Sequence, residues 1–117
     1  MGLDFSHADV RWSYSSFNHF RKKLANQIGV NLHVMKGFAS PDAKPISWDT
    51  VKDDIVPLLD HSDCDGVLTP EECRKVAPRL RELVSRWPEH DKDKERSLLL
   101  AQGMELAASR NEDLEFL

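Results

Sequence analysis

Apolar side chains recur three and four residues apart in four parts of the chain, which is the spacing of positions on one face of a helix. The pattern predicts helices over residues 14–28, 48–60, 70–86 and 92–110. The predicted apolar faces consist of Phe17, Phe20, Leu24 and Ile28; of Trp48, Val51, Ile55, Leu58 and Leu59; of Val76, Leu80, Leu83 and Val84; and of Leu99, Leu100, Met104, Ala107 and Ala108. The sequence therefore predicts a mainly α fold, with about four helices in one small domain over residues 1–117.

Two prolines modify these predicted helices. Pro57 should bend the second helix, because proline cannot donate a hydrogen bond to the carbonyl four residues earlier. Pro78 should either kink the third helix or divide it into two short ones. Between the first two helices, residues 30–47 are predicted to be irregular, although the apolar side chains at positions 30, 32 and 34 alternate as in a short strand.

Charged side chains make up 31% of the 117 residues, and the formal net charge is −4. An acidic chain is not expected to bind nucleic acid, and no apolar run reaches the roughly 20 residues that span a bilayer. The basic triplet at residues 21–23 and the mixed charges at residues 90–96 are interpreted as solvated helix surface. No signal-peptide pattern precedes the first helix, so a cytoplasmic location is expected.

Residues 61–72 form the one segment with a specific chemical pattern. Five carboxylates lie within 13 residues, with no Lys or Arg among them: Asp60, Asp63, Asp65, Glu71 and Glu72. Their mutual repulsion would favour a bound cation. Gly66 follows Asp65 as in a tight turn, and apolar helical patterns lie on both sides of the segment.

Residues 48–84 resemble a single EF-hand within a predicted helix-loop-helix over residues 48–87, and this resemblance implies calcium binding by oxygen ligands. With Gly66 at the sixth position of the loop, the implied ligands are Asp63, Asp65, the carbonyl of Val67, Thr69 and Glu72. His61 stands at the first position, where the family has Asp, and imidazole suits zinc better than calcium. EF-hands also usually occur in pairs, and the sequence contains one. The loop further resembles His-Ser-Asp-Cys-Asp-Gly loops of uncharacterised bacterial and phage proteins, which implies no activity.

Three alternatives to calcium remain open. Thr69, Pro70 and Glu72 form a complete helix start without any metal. His61, Cys64 and Cys73 could bind zinc, with a fourth ligand from His7, His19 or an acid. In an oxidising compartment, the two cysteines could instead form a disulfide.

No catalytic constellation is visible in the sequence, so an enzyme is not expected. Two functions are left. One is a small metal-binding helical protein, with calcium as the expected ion and a regulatory or structural role. The other is a metal-free interaction module that binds a protein partner or a second copy of itself.

Overall fold

The computed structural model describes residues 2–40, 42, 44–61 and 66–117, and this part of the chain is folded around four α-helices. They are α1 (Tyr14–Gln27), α2 (Val56–Leu59), α3 (Pro70–Val84) and α4 (Lys92–Ser109). Two 3-10 helices, Leu32–Val34 and Trp48–Thr50, precede α2. The strands are β1 (Gly2–Leu3), β2 (Trp12–Ser13), β3 (Val67–Leu68) and β4 (Leu114–Glu115). The prediction of four helices is confirmed, whereas the mainly α class holds only roughly, because two short sheets that were not predicted are also present.

The long helices begin and end close to their predicted positions because their caps are encoded locally. The Ser13 hydroxyl accepts a hydrogen bond from the Ser16 amide at the start of α1. At the start of α4, the Asp91 carboxylate accepts from the Asp93 and Lys94 amides. These side chains satisfy amide groups that have no partner within a helix.

The core lies between α3 and α4, which pack against each other along most of their lengths, and extends beneath α1. α3 continues through Pro78 as one helix, so a division into two helices is ruled out. Pro78 lies on the exposed side of α3, where water can satisfy the carbonyl that the proline leaves without a donor. On α4, Gly103 allows close approach, because a Cβ there would lie 2.5 Å from the Cβ of Ala8.

The predicted helix over residues 48–60 is wrong in its first half. A 3-10 turn at Trp48–Thr50 is followed by non-helical residues, and the α-helix begins only at Val56. The carboxylate of Asp53 accepts the Ile55 amide at 3.0 Å and thereby competes with helix formation. Pro57 consequently lies in the first turn of α2, where a proline costs no hydrogen bond, and the predicted bend does not arise.

The segment over residues 30–34, which alternates like a strand in sequence, contains a 3-10 helix at Leu32–Val34 and no strand. The Asn31 side chain accepts the His33 amide at 3.1 Å and caps this turn. Leu32 is buried while Val34 is exposed, so the two do not share a face as strand residues two apart would. Regular pairing in the segment 30–47 is confined to an isolated bridge between Met35 and Ile46 among the residues described.

Two small antiparallel sheets tie the chain ends to the core. β1 pairs with β2, and β3 pairs with β4 in the register Val67 to Glu115 and Leu68 to Leu114. A further bridge joins Phe5 to Phe116. The residues before α1 and after α4 therefore both pack on the core, and Trp12 is buried among aromatic rings.

Two basic side chains that were interpreted as solvated are buried. Arg21 is 1% exposed, and Lys94 is 8% exposed with its ammonium group bonded to the Trp87 carbonyl and the Glu89 carboxylate. Arg21 lies four residues after Phe17, so it falls on the apolar face of α1 and not beside it. Within the described ranges, no helix is both long enough and apolar enough to span a membrane.

Candidate cation-binding loop

The structure describes the beginning and the second half of the loop over residues 61–72. His61 and residues 66–72 are placed, whereas the predicted ligands Asp63 and Asp65 lie outside the described residues, as does Cys64. The geometry of the candidate site is therefore built from His61, from the turn at Gly66 and from the start of α3.

The second half of the loop turns sharply and then extends into β3. Gly66 has a φ of 96°, a left-handed conformation that glycine adopts without strain. Val67 and Leu68 follow in extended conformation, with Leu68 buried and Val67 exposed. This alternation turns the Leu68 side chain into the core, and it leaves the Val67 carbonyl on the loop side, within reach of His61.

The start of α3 is a complete capping box. The Thr69 hydroxyl accepts the Glu72 amide at 3.1 Å, and Glu72 Oε1 accepts the Thr69 amide at 2.9 Å. Pro70 occupies the first turn. The capping prediction for Thr69, Pro70 and Glu72 is confirmed, and it engages one of the two Glu72 carboxylate oxygens.

The His61 imidazole closes the described part of the loop. Its Nε2 donates to the Val67 carbonyl at 3.0 Å, and its ring stacks on Phe116 with a centroid distance of 3.8 Å. A Cβ added to Gly66 would lie 3.2 Å from His61 Cε1, so the imidazole is packed directly over the turn. His61 is thus held between the C-terminal segment and the Val67 carbonyl.

Each described candidate ligand already has one hydrogen-bond partner. A carbonyl oxygen has two lone pairs, so the Val67 oxygen can accept from His61 and retain further acceptor capacity. Glu72 Oε2 likewise takes no part in the capping box. Binding of a cation by both carboxylate oxygens would require Oε1 to give up its hydrogen bond with the Thr69 amide. A cation at these atoms would therefore compete with His61 and with the cap.

Arg21 forms hydrogen bonds with the backbone at the start of the loop. Its Nη1 donates to the carbonyls of Leu59, at 3.4 Å, and of His61. Its guanidinium lies 4.9 Å from the ring centre of Phe17 and 5.0 Å from that of Phe38. The residue therefore fixes the backbone that leads into the loop.

Asp60 lies beside the loop at the end of α2. Burial raises the pKa of this carboxyl above its ordinary value, and the nearby His61 and Lys36 side chains oppose the shift. A cavity of about 340 Å³ opens here, with Arg21, Lys36 and Asp60 among its lining residues. Asp60 is adjacent to the first position of the loop, but the described contacts assign it no ligand role.

Cys73, the described member of the cysteine pair in the zinc and disulfide alternatives, lies in the core. Its side chain is fully buried beneath β3, with Sγ 3.8 Å from the Leu68 carbonyl. Burial, together with the charge of Glu72, raises the pKa of the thiol to about 11. Because zinc binds the thiolate, this environment disfavours Cys73 as a ligand. His7, a proposed fourth ligand, donates from Nε2 to the Glu112 carboxylate at 3.0 Å and forms a hydrogen bond with the Ser6 hydroxyl through Nδ1.

Within residues 2–40, 42, 44–61 and 66–117, no three His, Cys, Asp or Glu side chains are grouped closely enough to hold a metal ion. Comparison of the chain with protein-family models, curated protein sequences and solved structures found no significant match. The candidate site therefore depends on the geometry of the loop and on the sequence pattern.

Sequence reasoning missed two residues that shape this loop. Arg21 could have been found from its position four residues after Phe17, on the apolar face of α1. Phe116 could have been found from the alternation of Leu114 and Phe116, which is the period of a half-buried strand. Neither signal indicates by itself that the residue contacts the loop.

Proposed function

We propose that residues 61–72 bind calcium as an EF-hand-like loop and that the ion adjusts the position of α3 relative to the segment that precedes the loop. The observation that carries the proposal is the run from Gly66 to Glu72. It combines a left-handed glycine, an extended Val67 and a helix whose third residue is Glu72. This is the order of turn, carbonyl and carboxylate that a calcium loop requires.

The charge of the loop supports the same proposal. Asp63 and Asp65 add two carboxylates to that of Glu72 within ten residues. A divalent cation would neutralise this repulsion, and its binding energy would order the loop. The described residues would contribute the Val67 carbonyl, the Thr69 side chain and the Glu72 carboxylate. A cation at these atoms would act directly on the first turn of α3.

Isothermal titration calorimetry tests the proposal with a pair of neighbouring variants. Glu72→Gln retains an oxygen for the Thr69 amide and removes the carboxylate charge, so the helix cap is preserved while calcium affinity falls at least about tenfold. Glu71→Gln removes the same charge from an exposed neighbour and is expected to change the affinity by less than about threefold, through long-range charge alone.

Asp63→Asn and Asp65→Asn should each weaken calcium binding in the same titration, because both residues stand at predicted ligand positions. Thermal unfolding of the unmodified chain should shift upward in calcium by an amount that follows the measured affinity. A wild-type protein that gives neither heat nor a thermal shift in about millimolar calcium would refute the proposal.

A second candidate function, a metal-free interaction module, is favoured by the surface of α4. Leu99 and Leu106 lie two helical turns apart on one face, and Leu98 lies nearby; their exposures are 37%, 39% and 36%. Leu99 was predicted to face the core, so this face is more apolar than the sequence pattern indicated. A partner protein or a second copy of the chain would bury it.

Sedimentation equilibrium distinguishes this candidate from the first. If the chain self-associates, the variant that combines Leu99→Gln and Leu106→Gln should be monomeric. EDTA should leave the association of the wild-type chain unchanged. Leu117→Gln is the control, because Leu117 is 63% exposed and lies outside α4. A monomer at all accessible concentrations would exclude the second copy as the partner.

A further inference from the structure

The C-terminal segment, residues 114–117, contacts the candidate loop at three points. β4 pairs with β3, the Phe116 amide donates to the Gly66 carbonyl at 2.9 Å, and the Phe116 ring stacks on His61. The ring of Phe116 is almost fully buried, with 4% of the residue exposed. The segment therefore acts on the loop through a fixed side chain and through the backbone.

The edge of the segment that faces away from β3 forms hydrogen bonds with residues near the beginning of the chain. The Ser6 amide donates to the Glu115 carbonyl at 3.0 Å, and the Leu117 amide donates to the Asp4 carbonyl at 2.8 Å. Phe5 packs edge-on against Phe116 with a centroid distance of 4.9 Å. The Phe116 ring is therefore also held in place by contacts outside the loop.

His61 connects this fixed ring to the proposed ligand atom. The imidazole makes its two described contacts, with Phe116 and with the Val67 carbonyl, at the same time. A cation on the Val67 oxygen, even through its second lone pair, brings positive charge close to the donating imidazole N–H and weakens this hydrogen bond. Movement of the imidazole away from the carbonyl changes the stack with Phe116, so the two contacts are coupled.

We infer that Phe116 lowers the cation affinity of the loop by holding His61 against the Val67 carbonyl. The inference rests on the proposed function, which it extends to a residue far away in the sequence. Phe116 is a positioning residue that acts through His61, and it does not touch the cation. By reciprocity, a bound cation weakens the docking of residues 114–117 on the loop.

The test is a double-mutant cycle between His61 and Phe116, with calcium affinity measured by calorimetry at constant pH. Phe116→Leu keeps an apolar side chain in the core but removes the ring stack. It should raise the affinity about two- to tenfold, the size expected for one aromatic contact. In the His61→Ala background, Phe116→Leu should leave the affinity unchanged, because the side chain through which it acts is gone.

Phe20→Leu is the matched control. Phe20 is buried in the same aromatic cluster, and its described ring contacts are with Trp12, Phe17 and Trp87. The substitution should destabilise the core without raising the calcium affinity. An increase with Phe20→Leu equal to that of Phe116→Leu would show a general loosening of the fold and would overturn the inference.

Hydrogen exchange of the C-terminal peptide provides a second readout. Calcium should speed exchange in residues 114–117 of the wild type, and the effect should be absent in Phe116→Leu. Calcium binding of equal affinity in all four members of the cycle would overturn the inference and leave the proposed function standing. The absence of calcium binding in every member would overturn both.

Discussion

Arg21 offers the sharpest test of how the fold holds the loop. The residue is 1% exposed, and its guanidinium donates to the carbonyls of Leu59 and His61 while lying over the rings of Phe17 and Phe38. Replacing it with Met keeps a long apolar side chain in the core but removes the donors and the charge. Arg21→Met should therefore destabilise the protein chiefly where the chain enters the loop.

The magnitude follows from the contacts that are lost. One close hydrogen bond from a charged group contributes about 1.5–3 kcal/mol. The two ring contacts add about 0.5–1 kcal/mol each. Part of this loss is recovered, because Met does not require a charge to be buried. We expect a net decrease of about 2 kcal/mol in the free energy of unfolding, or roughly 6–10 °C in Tm for a chain of this size.

Urea unfolding followed by circular dichroism measures this change, with Lys22→Met as the control. Lys22 neighbours Arg21 on α1 and is half-buried, so the same substitution there removes a charge without removing the described contacts to the loop. The stability of Arg21→Lys should lie between those of the wild type and Arg21→Met, because lysine retains the charge but lacks the planar array of guanidinium donors. Equal stability of Arg21→Met and Lys22→Met would refute the role assigned to the guanidinium.

Three further predictions concern a carboxylate, a turn and a thiol. The guanidinium of Arg79 donates to Asp53 at 3.0 and 2.8 Å and holds the pKa of that carboxyl below its ordinary value, so the stability that it contributes is present above about pH 4 and lost as the pH falls. Asp53→Asn should lower the urea midpoint at neutral pH, and the difference from wild type should narrow below about pH 4; a constant difference would contradict this. Gly66→Ala should cost more in Tm than Gly37→Ala, because both glycines have positive φ but only the first would gain a Cβ 3.2 Å from a neighbouring ring carbon; equal losses would show that this crowding has no effect. Because the pKa of the Cys73 thiol is raised to about 11, iodoacetamide at about pH 8 should label this residue only in urea-unfolded protein, as checked by peptide mass mapping, and rapid labelling of the folded chain would disprove its burial.

The helices that the sequence predicted correctly are those in which local signals agree. In α1, α3 and α4, a capping side chain stands directly before a run with the period of a helix face. The prediction failed over residues 48–55, where the same apolar period is present. There, the Asp53 carboxylate bonds the local backbone and also pairs with Arg79 of α3. A contact between residues far apart in the sequence thus outweighed the local pattern.

For the candidate loop, the sequence determined the turn and the helix start. Gly66 supplies the left-handed bend, and Thr69 with Glu72 forms the cap, because each of these depends on atoms a few residues apart. The acidic composition and the resemblance to an EF-hand also come from the sequence alone. Calcium binding itself stays a prediction until it is measured.

The surroundings of that turn depend on tertiary packing. The pairing of β3 with β4, the stack of His61 on Phe116 and the guanidinium of Arg21 beneath the loop join residues that are about 40 to 55 positions apart. Local propensity cannot specify such contacts, because they form only when packing of the core brings the segments together. The sequence therefore defines the shape of the turn, and the fold determines that His61 faces the Val67 carbonyl with an aromatic ring behind it.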